Sequence, residues 1–161
     1  MKVTIDISRQ DYAEFNKFHF FRTKLKKTII VGILSVIFLQ LLLNLEQFEL
    51  TATIISSVAF VLLYVFGIYR SLNKTRSIPE NDGTILGQKT IEFAEDKIAY
   101  KTSNSEGSYN WSTIKKLEES SKAFYLYMDT NVAMLVPKRV FKNKLDEEKF
   151  KTLVGQKINT A

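Results

Sequence analysis

Residues 28–45 read TIIVGILSVIFLQLLLNL and residues 51–69 read TATIISSVAFVLLYVFGIY. Neither run carries a charged residue. Their eighteen and nineteen residues approach the roughly 20 that a helix needs to cross a hydrocarbon core about 30 Å thick. The first run holds thirteen Leu, Ile, Val or Phe residues. At about 0.3–0.6 kcal/mol each, these outweigh Gln40 and Asn44 on an insertion scale. A strand is never this long, and a water-soluble helix would show a polar stripe. Two transmembrane helices are therefore expected at 28–45 and 51–69. A second span follows the first at once and no small-residue cleavage motif separates them, which argues against a signal peptide.

The flanks give an orientation. Arg22, Lys24, Lys26 and Lys27 precede the first span, and Arg70, Lys74 and Arg76 follow the second. The connection from Glu46 to Leu50 carries Glu46 and Glu49 and no base. The excess of bases on cytoplasmic flanks places both termini in the cytoplasm and the short connection outside. The expected location is a plasma membrane, crossed twice. Within the spans an unpaired amide in lipid is costly, so Gln40 is expected to bond to Ser56 or Ser57 across the hairpin.

Composition limits the chemistry. The 161 residues include no cysteine and one histidine, His19. Thiolate nucleophiles, disulfides and zinc–thiolate sites are excluded, and a site of several histidines cannot be built. No phosphate-binding glycine loop, dinucleotide fingerprint, HExxH or nucleophile elbow occurs. Neither catalytic residues, a metal nor a cofactor is expected. The formal charge of +6 fits an anionic membrane surface. It does not call for nucleic acid, because the bases cluster beside the spans. The acid pairs Glu95-Asp96 and Glu118-Glu119 are read as turn residues, and His19 as packing among phenylalanines.

The remaining chain reads as α+β. Lys2–Ile7 alternates, with Val3, Ile5 and Ile7 on one side. Ser8 stands as a helix N-cap with Asp11 three residues on, and a helix runs from Arg9 toward Arg22. Residues 1–27 thus form a cytoplasmic strand and amphipathic helix, and 28–69 the hairpin. Residues 70–83, ending in SIPENDG, form a linker, and 84–161 a cytoplasmic domain. Five strand-like runs are read there: Thr84–Phe93, Lys97–Thr102, Ser108–Leu117, Ala123–Met128 and Val132–Val136. Turns are read at Ser103–Gly107 and Glu118–Lys122. An amphipathic helix over Leu145–Asn159 buries Phe150, Leu153, Val154 and Ile158, with acids early and Lys157 late. It covers one face of an antiparallel meander, to which the N-terminal strand adds.

Three segments carry a resemblance: Trp111-Ser112-Thr113-Ile114, Phe124-Tyr125-Leu126-Tyr127, and Val136-Pro137-Lys138-Arg139-Val140-Phe141. Near the N-terminus, Asp11-Tyr12 and Phe15-Asn16-Lys17-Phe18-His19 add to it. With these residues the chain resembles the YcxB-like family of bacterial membrane proteins, and its meander closed by a helix resembles a pleckstrin-homology-like (PH-like) domain. The resemblance implies a fold and a topology, but no catalytic residues and no ligand.

The candidate patch is Lys138, Arg139, Lys142 and Lys144, expected to be exposed together beyond Pro137. Each base near an anionic leaflet contributes about 1 kcal/mol. The expected function is a non-catalytic binding or scaffold module at the inner face of the membrane, with lipid headgroups or an unidentified protein as partner. Two other readings are open: a protein protecting against membrane-active peptides, and a small transporter subunit with Gln40 facing a pore.

Overall fold

A computed structural model describes residues 1–44, 49–80 and 85–160. Leu45, which ends the first apolar run, lies outside the described residues, as do 46–48 of the connection and 81–84 of the linker. The chain divides into two compact units, Met1–Phe15 with Arg76–Ala161, and Asn16–Thr75.

The first unit is built from both ends of the sequence. β1 (Lys2–Ile7) alternates buried and exposed along its whole length. It pairs antiparallel with β2 (Gly87–Phe93), from Lys2 opposite Glu92 to Ile7 opposite Gly87. Because the side-chain period is 2, this register keeps Val3, Ile5 and Ile7 on the same face as Ile91 and Phe93. Gly87 sits at φ +88°, a backbone conformation that a side chain would strain. β3 (Lys97–Lys101) and β4 (Glu106–Asn110) complete a four-stranded sheet in the order β1-β2-β3-β4. β5 (Lys116–Glu119), β6 (Ala123–Tyr127) and β7 (Ala133–Pro137) form a second, three-stranded antiparallel sheet.

Three expectations differ from the structure. The run Ser108–Leu117 is two strands in two sheets, broken by a 3₁₀ turn at Trp111–Thr113. Trp111 is buried and its Nε1 donates to Ala94 O at 3.1 Å. Satisfying that indole while keeping Ile114 and Leu117 inward requires the change of register. Glu118 and Glu119 are not turn residues. They lie in β5 opposite Tyr125 and Phe124, and the turn is Ser120–Lys122. Glu106 and Gly107, read as turn, are the first residues of β4. Glu95-Asp96 does lie in the bend between β2 and β3.

The two sheets share one core with the C-terminal helix. Phe150 and Val154 are fully buried. The Phe150 ring centroid lies 5.0 Å from that of Phe93, 5.3 Å from Phe124 and 5.2 Å from Phe141. That helix runs from Lys144 to Thr160. The other face of β6 is covered as well. Phe15, in the helix that begins at Arg9, lies 5.4 Å from Tyr125 and 6.1 Å from Tyr127, ring to ring. This explains why all five residues of β6 are buried.

Helix α1 (Arg9–His19) starts with the expected reciprocal cap. Ser8 N donates to Asp11 Oδ2 at 2.8 Å, and Asp11 N donates to Ser8 Oγ at 3.2 Å. No Gly or Pro precedes Gly32 to stop it, and Gly32 itself does not break it, so helix continues to Leu43. A π-helical turn at Phe20–Lys24 joins α1 to α2 (Leu25–Leu43). There the Leu25 amide donates to Phe20 O, five residues back. α3 (Leu50–Lys74) runs past Tyr69 and ends in a 3₁₀ turn at Thr75–Ser77. Residues 70–74, read as linker, are helical because the first breaker after the span is Pro79. Both helices are long and apolar enough to cross a membrane. The C-terminal helix described above is α4.

Candidate functional site

The segment after β7 is shaped by three residues. Pro137 is the last residue of β7, where a missing N–H costs no ladder bond. A 3₁₀ turn over Lys138–Val140 follows, and Phe141 returns the chain into the core against Phe124 and Phe150. Asn143 Oδ1 then accepts from Asp146 N at 2.9 Å and caps α4.

Of the four bases expected to be exposed together here, two are engaged within the domain. Lys138 Nζ lies 2.5 Å from Glu119 Oε1, 3.7 Å from Glu147 Oε2, and 5.0 Å above the Phe124 ring. Its side chain is only 18% exposed, so it serves the fold more than the surface. Arg139 forms a forked pair with Asp11, Nη1 to Oδ1 at 2.6 Å and Nη2 to Oδ2 at 2.8 Å. Its Nη2 also donates to Asp6 O. Lys138 is therefore not exposed with the others, whereas Arg139 is exposed but paired. Strand β5 and helix α1 bring carboxylates to Lys138 and Arg139; Arg139 stays about half exposed, and Lys142 and Lys144 are exposed beside Leu145. Among the described residues neither lysine forms an ion pair.

The charges respond accordingly. Burial pushes the Asp11 carboxyl up, but hydrogen bonds from Arg139 and Ser8 outweigh it and hold the group below its ordinary value. The same pairing holds Arg139 above its own. Hydrogen bonds from Lys138 and Lys151 hold Glu119 down. Lys89 behaves differently. It stands opposite Ile5 on the inner face of the first sheet, and burial alone lowers its amine.

In the second unit, Gln40 Nε2 donates to Ser56 Oγ and Ser57 Oγ, each at 2.9 Å. Asn44 Nδ2 donates to Gln40 Oε1 at 3.2 Å, and Thr53 Oγ1 donates to Asn44 Oδ1 at 3.2 Å. Five polar side chains therefore satisfy one another between α2 and α3. Further along, Tyr64 OH donates to Thr28 O at 2.8 Å, and its ring lies against Gly32, where a Cβ would meet Cε1 at 2.9 Å. His19 is buried, with Nε2 3.0 Å from Thr23 Oγ1. Among the described residues no cluster of His, Asp or Glu is arranged to hold a metal.

Residues 93–154 match the model of the YcxB-like protein family. Over this stretch the chain is similar to that family. The matched stretch begins at the end of β2 and ends in α4, so it contains β3, β4, the whole second sheet and the Pro137–Phe141 return. It includes three of the four segments on which the resemblance was read; Asp11–His19 lies outside it. No curated protein and no solved structure matches the chain.

The partners of Lys138 and Arg139 are not visible in the local sequence. The local pattern marks Asp11 only as a capping residue, and nothing in it links Asp11 to Arg139, 128 positions away. Glu119 gave a weak signal: alternation already placed Leu117 inward, which fits continuation of the strand past it. Lys89 was also signalled, as the one base at an inward position of the alternation Lys89, Ile91, Phe93.

Proposed function

We propose that this chain is an integral membrane protein whose PH-like domain is a non-catalytic binding module held at the inner face of the plasma membrane. One observation carries the reading. The two apolar helices are inserted between strands that pair residue for residue, Lys2–Ile7 with Gly87–Glu92. A hairpin inserted within one domain tethers it at two neighbouring strand ends, so a membrane-crossing hairpin keeps that domain at the bilayer.

Membrane insertion is supported by the surface of the helices. No residue of α2 or α3 is buried, and Leu62, Leu63 and Leu41 are 64–70% exposed. An apolar surface this continuous needs a partner other than water. Seven antiparallel strands in two sheets, closed by a C-terminal helix, support the PH-like assignment. The bases at 22–27 and 70–76 support cytoplasmic termini. Gln40, satisfied within its own hairpin, speaks for helix packing rather than a pore.

The rim of Lys142, Lys144 and Leu145 is the surface offered to an acidic partner, and anionic headgroups are the nearest. The test uses the full chain in vesicles, with a fluorophore at Asn143→Cys and acceptors on lipid headgroups. Energy transfer that is stronger with anionic than neutral lipid, weakens with salt and falls in Lys142→Gln/Lys144→Gln is expected. Transfer indifferent to lipid charge and to both lysines removes the headgroup from this account.

A further inference from the structure

One groove on the helix pair is unlike the rest of its apolar surface. It is an open groove of about 460 Å³, within the range of small-molecule sites. Phe20, Leu63, Ile68 and Leu72 make its apolar walls, and Thr28 and Ser71 its polar edge. Gly67 leaves it open: a Cβ built there meets nothing within 4 Å.

The charge around this groove has one sign. Residues 15–44 and 50–79 contain no Asp or Glu, and every base among them lies toward one end of the hairpin. The pairing of the helices sets which bases lie level with the groove. Gln40 meets Ser56 and Ser57, and Thr28 meets Tyr64. One turn beyond Thr28 is Lys24, level with the turn after Tyr64 that leads to Arg70. Lys24 shares the helix stripe of Thr28, and Arg70 that of Gly67. Both are exposed, and neither forms an ion pair among the described residues. A second groove, lined by Val31, Phe38 and Phe60 among others, has the same volume but no base at its edge.

We propose that the groove at Gly67 holds one acyl chain of an anionic phospholipid, whose phosphate lies between Lys24 and Arg70. The site rests on the reading of α2 and α3 as membrane spans. An acyl chain matches the apolar walls, and a phosphate matches two bases unopposed by any acid. The chain buried in the groove adds a term that surface attraction to the leaflet lacks.

The test is native mass spectrometry of the full chain in mild detergent. Phosphatidylglycerol or phosphatidylcholine of identical acyl chains is added at equal mole fraction. One phosphatidylglycerol is expected to be retained in preference to phosphatidylcholine. Gly67→Phe fills the groove and should lower retention of that lipid by roughly tenfold or more, the equivalent of about two lost methylenes. Lys24→Gln and Arg70→Gln lie outside the helix seam. Each should cut the preference about fivefold while leaving phosphatidylcholine binding unchanged. Equal retention of both lipids, or undiminished preference in the two Gln variants, overturns the site. So does a dimer that added lipid dissociates, since a second copy would then be the occupant. A chain absent from alkali-washed membranes defeats the membrane reading itself. A chain present there without lipid preference defeats only the groove.

Discussion

Arg139 closes on Asp11 from 128 positions away, Nη1 to Oδ1 at 2.6 Å and Nη2 to Oδ2 at 2.8 Å. The pair ties the turn before α4 to the first turn of α1. Asp11 simultaneously caps α1 through Ser8, so one carboxylate serves two junctions. Arg139→Gln should lower stability by about 1–2 kcal/mol, the lower part of the range for charged hydrogen bonds because the guanidinium is half exposed. Arg139→Lys should recover little, since an ammonium cannot reproduce the fork. Chemical unfolding of the detergent-solubilised chain, followed by Trp111 fluorescence, measures both.

Acid should weaken the same junctions. Asp11 has a folded pKa below its unfolded value of 3.8, and Glu119 one below 4.5. Each contributes stability that is fully present above its unfolded value and is lost as pH falls through the folded one. Unfolding midpoints should therefore drop below about pH 4.5 in the parent chain. Asp11→Asn and Glu119→Gln should each flatten that acid limb while lowering the neutral-pH midpoint. An acid limb identical in parent and variants would contradict the assignment.

Lys89 should act in the opposite sense. Burial lowers its folded pKa below the unfolded 10.5, so the folded state binds fewer protons. Its burden on stability is present while both states are below their pKa values and fades as pH rises toward 10.5. Lys89→Met keeps the stem, removes the charge, and should raise the unfolding midpoint at neutral pH. A lower midpoint would mean that the amine has a favourable partner.

Trp111 is the sole tryptophan and sits where β4 turns into β5. Trp111→Ala should cost about 3–5 kcal/mol through the cavity it leaves. Trp111→Phe keeps most of the packing against Phe93 but loses the bond to Ala94 O. Its cost should be near 1 kcal/mol. Equal losses from the two variants would show that packing contributes little at this corner.

In the helix pair, Gln40→Leu should destabilise only modestly, by about 0.6 kcal/mol, as is typical of side-chain bonds between helices in lipid. Gly32→Leu should cost more, because even a Cβ at Gly32 meets the Tyr64 ring at 2.9 Å. Thermal loss of helicity in detergent, read by circular dichroism, ranks the two. Gln40→Leu outranking Gly32→Leu would contradict the packing described.

What could be read in advance followed from local periodicity. Val3, Ile5 and Ile7 announced β1, Ser8 and Asp11 announced the start of α1, and Phe150 and Val154 announced the buried face of α4. What could not be read was set by distant partners. The break at Trp111–Thr113 depends on Ala94 O, and the placement of Glu118-Glu119 depends on β6. The candidate patch shrank for the same reason. Lys138 and Arg139 look like free bases in sequence, and only folding brings Glu119 and Asp11 to them.

If the helix pair crosses a membrane as proposed, the paired-strand domain lies inside and Glu49 outside. The absence of native cysteine allows single-cysteine probes without background. Glu49→Cys lies at the start of α3, and Asn104→Cys in the turn between β3 and β4. In intact cells, a membrane-impermeant maleimide should label Glu49→Cys at once and Asn104→Cys only after permeabilisation. Labelling of Asn104→Cys in intact cells, or recovery of the chain in the soluble fraction, would contradict the account.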